Sequence, residues 1–257
     1  MKKIDFSKCI RLFVLLIACF VFLFSGYKVY NYVSDAKKSR DNITKLIDTA
    51  FVSQEDVPAV MPSEEDTTQM IEEYPFYPDF EELQKINKDI KAWIWCEDTP
   101  IHYPVVQSYD NEYYLHRLTD HSWNFSGTPF LDYRNSSTFS DFNTIIYAHN
   151  MLNGTMFASL YDWEDEQWRE KHPVITVFTP EGVVRIKVLA AFETDTKSFV
   201  YIIPSGADLK DYFVNRLSEK MFPELDIQIG TENKFITLST CTTTSKTRFV
   251  VVGQTDF

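Results

Sequence analysis

The sequence predicts a mostly β fold, a barrel or a sandwich, with helical additions. Eight short runs are rich in β-branched and aromatic residues, turn-forming residues bound them, and few segments have helical periodicity. The predicted strands are residues 93–96, 103–106, 128–131, 144–147, 174–178, 183–192, 235–240 and 249–252. A chain of 257 residues is long enough for one such domain and an appendage.

The first element along the chain is an apolar run over residues 12–24, which continues to Tyr27. A helix of about 16 residues spans roughly 24 Å, slightly less than the ~30 Å hydrocarbon core of a membrane. Arg11 and Lys28 flank the run, and their long side chains can extend to the headgroups. The sequence therefore predicts an uncleaved transmembrane anchor over residues 10–30.

A cleaved signal peptide and a lipoprotein are the alternatives to this anchor. A signal peptide needs a small-x-small cleavage site after the apolar run, and the sequence has no clear one. Cys19 follows Leu-Ile-Ala, as at a lipidation site, but residues 20–24 are apolar where a mature lipoprotein turns polar. An anchor leaves a cytoplasmic arm over residues 1–9 and places the long C-terminal part outside the membrane.

Residues 31–73 are predicted to connect the anchor to a folded domain. Within them, apolar residues recur at helical spacing over residues 34–51, which predicts a juxtamembrane helix. These apolar residues are Ile43, Leu46, Ile47 and Ala50. Residues 52–73 are acidic, contain two prolines and have no sustained period, which is typical of a linker. The folded domain is expected to cover residues 74–257.

Three helices are predicted inside this domain. The first begins after Asp79, a good N-cap residue, and its apolar face is formed by Phe80, Leu83, Ile86 and Ile90. A short helix is expected near residues 164–171. A longer helix over residues 208–220 lies between the sixth and seventh predicted strands, with an apolar face formed by Leu209, Tyr212, Phe213 and Leu217.

The composition argues against several functional classes. The chain has a net charge of −12, although its first 40 residues hold eight Lys or Arg against two Asp, so the rest is strongly acidic. An acidic body argues against a nucleic-acid partner. Glycine occurs only seven times, and the sequence has no glycine-rich phosphate-binding motif. No cysteine or histidine cluster has the spacing of a metal site.

The four cysteines divide into two pairs. Cys9 and Cys19 lie in or beside the apolar N-terminal run. Cys96 and Cys241 lie in the predicted domain, where they are able to form one disulfide. We favour instead a buried thiol at Cys96 and a separate, functional Cys241.

Cys241 is the first candidate for chemistry, because it ends the seventh predicted strand. A lone cysteine in a strand is more often a packed thiol than a nucleophile. Here, however, Arg248 begins the next strand, so a thiol and a permanently charged donor lie on adjacent strands. Cysteine is strongly nucleophilic, and a fixed guanidinium is suited to hold an oxyanion or a carbonyl group.

His149 is the candidate base. It lies two residues after the β-prone run at residues 143–147, so its imidazole is expected where a strand ends and functional groups are often placed. The remaining histidines follow no such run as closely, and the sequence predicts structural or solvated roles for them. They are His102, His116, His121 and His172.

Together these residues match a known pattern. The segment Thr237-Leu238-Ser239-Thr240-Cys241 resembles the TLxTC motif of sortases, with Arg248 where their arginine follows and residues 143–150 similar to their histidine segment. Further blocks, at residues 93–94, 101–107, 110–115 and 130–135, are similar to those of class B sortases. The resemblance covers residues 74–257 and departs at residues 95–98, which affects packing only.

The resemblance implies a sortase-type eight-stranded β-barrel with an N-terminal helix and a helix between the sixth and seventh strands. It also implies a membrane-anchored cysteine transpeptidase in which Cys241, His149 and Arg248 are catalytic. Such an enzyme cleaves a C-terminal sorting signal after threonine and transfers the acyl group to an amine of peptidoglycan or a pilin lysine. No metal or organic cofactor is implied.

Three further residues are weaker candidates for binding the sorting signal: Ser239, Tyr201 and Ile202. Packing in a strand or loop explains them equally well. Two other functions stay open from the residues: a cysteine endopeptidase that uses water as its acceptor, and a non-catalytic, anchored surface-binding module.

Overall fold

The computed structural model describes residues 6–53, 74–242 and 246–255. Its helices are α1 (Phe6–Ala50), α2 (Phe80–Ile86), α3 (Glu166–Lys171) and α4 (Ala207–Ser218). Within the described residues, three 3₁₀ turns occur, at Tyr113–His116, Ala158–Glu164 and Phe199–Tyr201. The strands are β1 (Phe51–Ser53), β2 (Phe76–Pro78), β3 (Ile90–Trp95), β4 (His102–Val106), β5 (Phe130–Leu131), β6 (Asn143–Tyr147), β7 (Val174–Thr179), β8 (Gly182–Asp195), β9 (Phe235–Cys241) and β10 (Thr247–Thr255).

Strands β3 to β10 form a closed barrel in the order β10-β8-β7-β3-β4-β5-β6-β9. Each of them corresponds to one strand predicted from the sequence, and the predicted eight-stranded barrel is confirmed. Most neighbours pair antiparallel, but β4 with β5 and β6 with β9 pair parallel. Parallel neighbours need a long crossover connection, and the crossover from β6 to β9 contains β7, β8 and α4.

Along β9, side chains that point into the packed barrel interior alternate with side chains on the outer face. Ile236 and Leu238 belong to the largest buried apolar cluster, together with Ile94 of β3, Ile146 of β6 and Val251 of β10. Side chains alternate across a strand, so Ser239 and Cys241 lie on the opposite, outer face of β9. The strand end therefore presents these two polar side chains outside the packed barrel interior.

Helix α4 covers part of the outer barrel surface. Phe213, Val214 and Leu217 are its buried residues, and the Phe213 ring packs against Phe142 and Phe235. The predicted apolar face was wrong for Leu209 and Tyr212, which are 43% and 48% exposed. The contact with the barrel is narrower than the apolar stripe, so the first turn of α4 extends into solvent.

Helix α2 begins as predicted and ends earlier. The Asp79 side chain accepts hydrogen bonds from the backbone N–H groups of Glu81 and Glu82 at 2.9 and 3.1 Å, so the N-cap is confirmed. Ile90, which was expected on the apolar face of this helix, instead starts β3. The helix ends because Asn87 is extended and its side chain bonds outside the helix, to Tyr114 and to the Thr119 carbonyl.

Helix α1 is one continuous helix of 45 residues, although the sequence predicted an anchor and a separate juxtamembrane helix. Among the described residues, it is the one helix long and apolar enough to cross a membrane, by length and composition. Its apolar N-terminal part is exposed, as at Phe20, Phe22 and Leu23. No proline interrupts the segment, so nothing in the sequence forces a break between its two halves.

The C-terminal end of α1 packs onto the barrel. Leu46 and Ala50 are buried in a cluster with Leu83 of α2 and with Trp93 and Phe178 of the barrel. The chain then enters β1, which pairs antiparallel with β2, so residues 52 and 53 of the predicted linker belong to a strand. The rest of that linker, residues 54–73, lies outside the described residues, and the domain boundary at residue 74 stays a prediction.

His102 lies in the aromatic cluster that joins β1 and β2 to the barrel. Its ring stacks on Phe76 at 4.9 Å and on Phe51 at 5.7 Å, and contacts the edge of Trp93. Burial lowers the pKa of His102 to about 4. The structural role predicted for this histidine agrees with these contacts.

The burial of His102 predicts acid sensitivity. Between about pH 6.5 and 4 the unfolded chain binds a proton that the folded ring rejects, so the free energy of unfolding falls on acidification. His102→Phe should flatten the dependence of Tm on pH in this window, measured by thermal unfolding. The exposed His121→Gln is the control and should keep the wild-type slope. An unchanged slope in His102→Phe contradicts this account.

Candidate active site

The parallel pairing of β6 with β9 brings the candidate base beside the candidate nucleophile. Tyr147 is opposite Ser239 in this pair, so two residues further the same register places His149 opposite Cys241. The pairing continues past the strand end, because the Ala148 N–H donates to the Ser239 carbonyl at 3.1 Å. Asn150 extends it further by donating from Nδ2 to the Cys241 carbonyl at 3.1 Å.

The antiparallel pairing of β9 with β10 places the arginine. Cys241 and Arg248 are directly opposite in this ladder. Directly opposite residues point to the same face, with Cβ atoms about 4.5–5.5 Å apart. The Arg248 side chain also donates from Nη1 to the Thr247 carbonyl at 2.8 Å. A guanidinium is therefore held next to the thiol by strand pairing.

One cavity of about 580 Å³ connects these groups. It is lined by Cys241, His149 and Arg248, and also by the three weaker candidates, Ser239, Tyr201 and Ile202. Residues that are far apart in sequence thus share one concave surface. A cavity of this size accommodates an extended peptide segment, and its polar groups converge at one end of β9.

The imidazole of His149 is oriented by a backbone group. Its Nε2 donates to the Leu115 carbonyl at 2.8 Å, since a carbonyl oxygen only accepts. In the neutral ring, Nδ1 is then the basic nitrogen, free to exchange a proton. Burial lowers the pKa of His149; the bond to Leu115 opposes this shift and the nearby His116 adds to it. The folded site therefore favours a neutral imidazole.

Asn143, the first residue of β6, holds the turn that forms one wall of the cavity. Its side chain is fully buried and donates to the carbonyls of Val200 and Ile202 at 2.8 and 2.9 Å. These bonds fix the 3₁₀ turn over β9, where the Tyr201 hydroxyl lies 2.9 Å from Ser239 Oγ. Tyr201 and Ile202 are thus part of the cavity wall.

The family model described as Sortase domain matches residues 95–256, more than half of the chain. The chain belongs to the sortase family. Sortase B of Listeria monocytogenes is 34% identical over 240 residues, which are 91% of this chain and 92% of that protein. Sortase B of Staphylococcus aureus is 30% identical over 91% of each chain.

Solved structures agree with this assignment. The Staphylococcus aureus sortase B–substrate complex has a TM-score of 0.65 and 31% identity, and the match covers 69% of this chain and 84% of that chain. Sortase B from B. anthracis has a TM-score of 0.69 and 26% identity, over 88% and 98%. The resemblance to class B sortases is confirmed, and with it the class of enzyme: a cysteine transpeptidase.

The lining of the sortase cavity includes a polar cluster that sequence reasoning missed. Asp132 is fully buried, and Arg134 donates to both of its carboxylate oxygens, at 2.8 and 2.7 Å. Tyr147 and Asn111 donate to the same carboxylate. Burial acts to raise the pKa of Asp132, but the hydrogen bonds from Arg134 outweigh it and the net pKa is lowered. Asp132 is therefore ionised and fixed in position.

The histidines outside the site have packed or exposed positions, as predicted, but one of them, His116, also contacts the site. His116 was expected to be structural or solvated, yet its ring stacks on His149 with centroids 5.3 Å apart. The sequence contained one weak signal: His116 directly follows Leu115, in a block that resembles class B sortases. Nothing local indicates that this block folds over a histidine 33 positions later in the chain.

Cys96 is a buried free thiol, as favoured from the sequence. It is 3% exposed and donates to the Val174 carbonyl at 3.6 Å, and Cys241 is also free. Burial raises the pKa of Cys96 to about 12. A thiol in this state is protonated and unreactive at neutral pH, so Cys241 is the reactive candidate of the two.

A substitution at Gly127 tests whether the packing of the backbone positions His149. It has φ +61°, and a Cβ there would meet the carbonyl oxygens of Leu115 and, at 2.6 Å, of Tyr114. Gly127→Ala should displace the Leu115 carbonyl from His149, lowering kcat at least ~10-fold because misplaced groups catalyse poorly. Gly154 is the matched control: its φ is +79° and nothing lies within 4 Å.

Both alanine variants incur the cost of a left-handed conformation, about 1–2 kcal/mol. Only Gly127→Ala adds the collision with backbone oxygens, so it should show the larger fall in Tm as well as the loss of kcat. Equal kinetics of the two variants in a peptide-cleavage assay would show that the Leu115 carbonyl does not govern His149.

Proposed function

We propose that the chain cleaves a C-terminal sorting signal after threonine and transfers the acyl group to an amine. The observation that supports this proposal is the shared register: His149, Cys241 and Arg248 meet at the ends of β6, β9 and β10 in one cavity. Cys241 is the nucleophile, His149 the acid and base, and Arg248 the fixed donor. The Staphylococcus aureus relative is known as a complex with substrate, which supports a peptide in this cavity.

The reaction has two stages. His149 takes the proton of the Cys241 thiol, and the sulfur attacks the threonine carbonyl carbon. The C–N bond then breaks as the protonated His149 gives that proton to the departing amine. This leaves a thioester on Cys241. An incoming amine, from peptidoglycan or from a pilin lysine, attacks the thioester and loses its proton to His149, and the C–S bond breaks to restore the thiol.

Arg248 has a role in both stages. Each tetrahedral intermediate carries negative charge on the former carbonyl oxygen, and a charged donor next to Cys241 stabilises that charge. Ser239, Tyr201 and Ile202 line the same cavity and are assigned to contacts with the sorting signal. The Tyr201–Ser239 hydrogen bond holds two of them in place.

We place the N-terminus of α1 inside the cell and the catalytic domain outside. The apolar, exposed first half of α1 supports an anchor of one span, and the short basic leading arm supports this orientation. The same orientation gives the domain access to secreted proteins and cell-wall amines. Protease added to intact cells should release the domain. A domain that is protected from the protease would indicate the opposite orientation.

Trapping the thioester tests the proposed reaction. Wild-type enzyme incubated with a panel of sorting peptides should gain the mass of the acyl part on Cys241, detected by mass spectrometry. Cys241→Ala should form no adduct and cleave no peptide, whereas Cys96→Ala, the matched buried thiol, should still form the adduct. Cleavage by Cys241→Ala would exclude it as nucleophile.

The identity of the acceptor is tested with the same peptides. Added amine should appear in the product as an amide, and the yield of this amide should rise with amine concentration. A product that is the free acid at every amine concentration would instead establish the hydrolytic alternative, a cysteine endopeptidase that uses water.

Arg248→Lys tests the role of the guanidinium. An ammonium keeps the charge but has no planar fork of donors, so transpeptidation should fall by ~10²–10³, the usual effect of removing one oxyanion donor. Arg185→Lys, in the exposed part of β8, is the control and should keep full rate. A near wild-type rate for Arg248→Lys would remove Arg248 from the proposed chemistry.

A further inference from the structure

One loop, residues 115–128, makes the contacts that surround the His149 ring. Leu115 accepts the hydrogen bond from Nε2. The His116 ring stacks on His149 at 5.3 Å with 23° between the planes, and the Phe125 ring lies at 6.2 Å and nearly parallel, with 6° between the planes. The position of the imidazole therefore follows the position of this loop.

The 115–128 loop is closed by its own backbone hydrogen bonds. The Asn124 N–H donates to the His116 carbonyl at 3.0 Å, and the Leu118 N–H donates to the Ser122 carbonyl at the same distance. Because these bonds tie the two sides of the loop together, a displacement on one side moves the side that touches His149.

The juxtamembrane part of α1 holds the loop from outside. Thr119 Oγ1 donates to Asn42 Oδ1 at 2.7 Å, and Asn124 Nδ2 donates to the Asp35 carbonyl at 2.9 Å. The ring of Tyr32 packs against Phe125 with centroids 6.4 Å apart. Thr119 is 1% exposed and Asn124 is fully buried, so leaving either unpaired would cost about 1–3 kcal/mol.

We propose that the juxtamembrane part of α1, residues 32–42, positions His149 through the 115–128 loop, and that Asn42 and Thr119 are positioning residues for transpeptidation. The inference rests on the acid–base role of His149 proposed above. Helix α1 is itself fixed to the barrel by Leu46 and Ala50, so it gives the loop a rigid support. The segment that leaves the membrane anchor thus also aligns a catalytic group.

The test uses the full chain in detergent micelles, with Asn42→Ala and Thr119→Val. Each removes one side of the helix–loop hydrogen bond and touches no residue of the cavity. We expect kcat to fall ~10-fold with KM changed less than about twofold, because proton transfer depends on placement more strongly than binding does. The double variant should be no worse than the more affected single variant.

The pH profile separates positioning from general loss of structure. A loosened loop admits water to His149, and since burial lowers its pKa, the limb of the kcat profile assigned to His149 should move to higher pH. The titratable and charged groups around His149 are His116 on the loop and, in the lining of the shared cavity, Cys241, Arg248, Asp132, Arg134, Lys197, Tyr147 and Tyr201. None of these is altered in the variants.

Two controls accompany the variants. Asn42→Asp keeps an oxygen that accepts from Thr119, and it should restore the wild-type rate and pH profile. Asp41→Ala changes an exposed neighbour on the same helix and should behave as wild type. A wild-type kcat and pH profile for Asn42→Ala and Thr119→Val would overturn the proposal, as would a loss of kcat with an unmoved profile.

A further variant distinguishes failure of this positioning role from failure of the proposed transpeptidase mechanism. His149→Ala, measured beside the helix variants, should be inactive whether or not α1 positions the loop. If His149→Ala is inactive and the helix variants are unaffected, the positioning role fails and the transpeptidase mechanism stands. If His149→Ala retains activity, the assigned role of His149 fails, and the positioning proposal fails with it.

Discussion

The parallel pairing of β6 with β9 is the constraint on which the site depends. It fixes the ends of both strands at one edge of the barrel and aligns His149 with Cys241. Side chains alternate with a period of two, so a slip of one residue in this register would turn either group to the other face. The buried inner residues Ile146, Ile236 and Leu238 oppose such a slip, and the hydrophobic core thereby specifies the chemistry at the strand ends.

Hydrogen bonds from buried polar groups fix the position of the cavity walls. Asn143 bonds Val200 and Ile202 and accepts from Thr237 of β9 at 3.0 Å. A buried amide left unpaired is costly, so these bonds select one position for the turn that carries Tyr201. Asp132, which also lines the cavity, holds Arg134 and Tyr147 in the same way. The barrel is rigid where its interior is apolar, and the site is rigid because its polar groups are paired.

Sequence reasoning succeeded where structure is local. The eight strands follow from runs of β-prone residues, and the nearness of Cys241 and Arg248 follows from two consecutive strands. It failed where contacts join distant segments: His116 against His149, Asp132 in the cavity lining, and Ile90, which pairs with Val106 in the barrel instead of ending a helix. The proximity of His149 to Cys241 depends on a crossover of many residues, and only the family resemblance, not the local pattern, indicated it.

The ladder between β9 and β10 has a consequence for variation within such enzymes. Seven residue pairs, from Arg248–Cys241 to Gln254–Phe235, set the position of the arginine relative to the thiol. The position of the arginine therefore does not depend on the number of residues that join the two strands. A change in the length of the connection after Cys241 leaves the paired strands, and with them the position of Arg248 beside Cys241, unchanged.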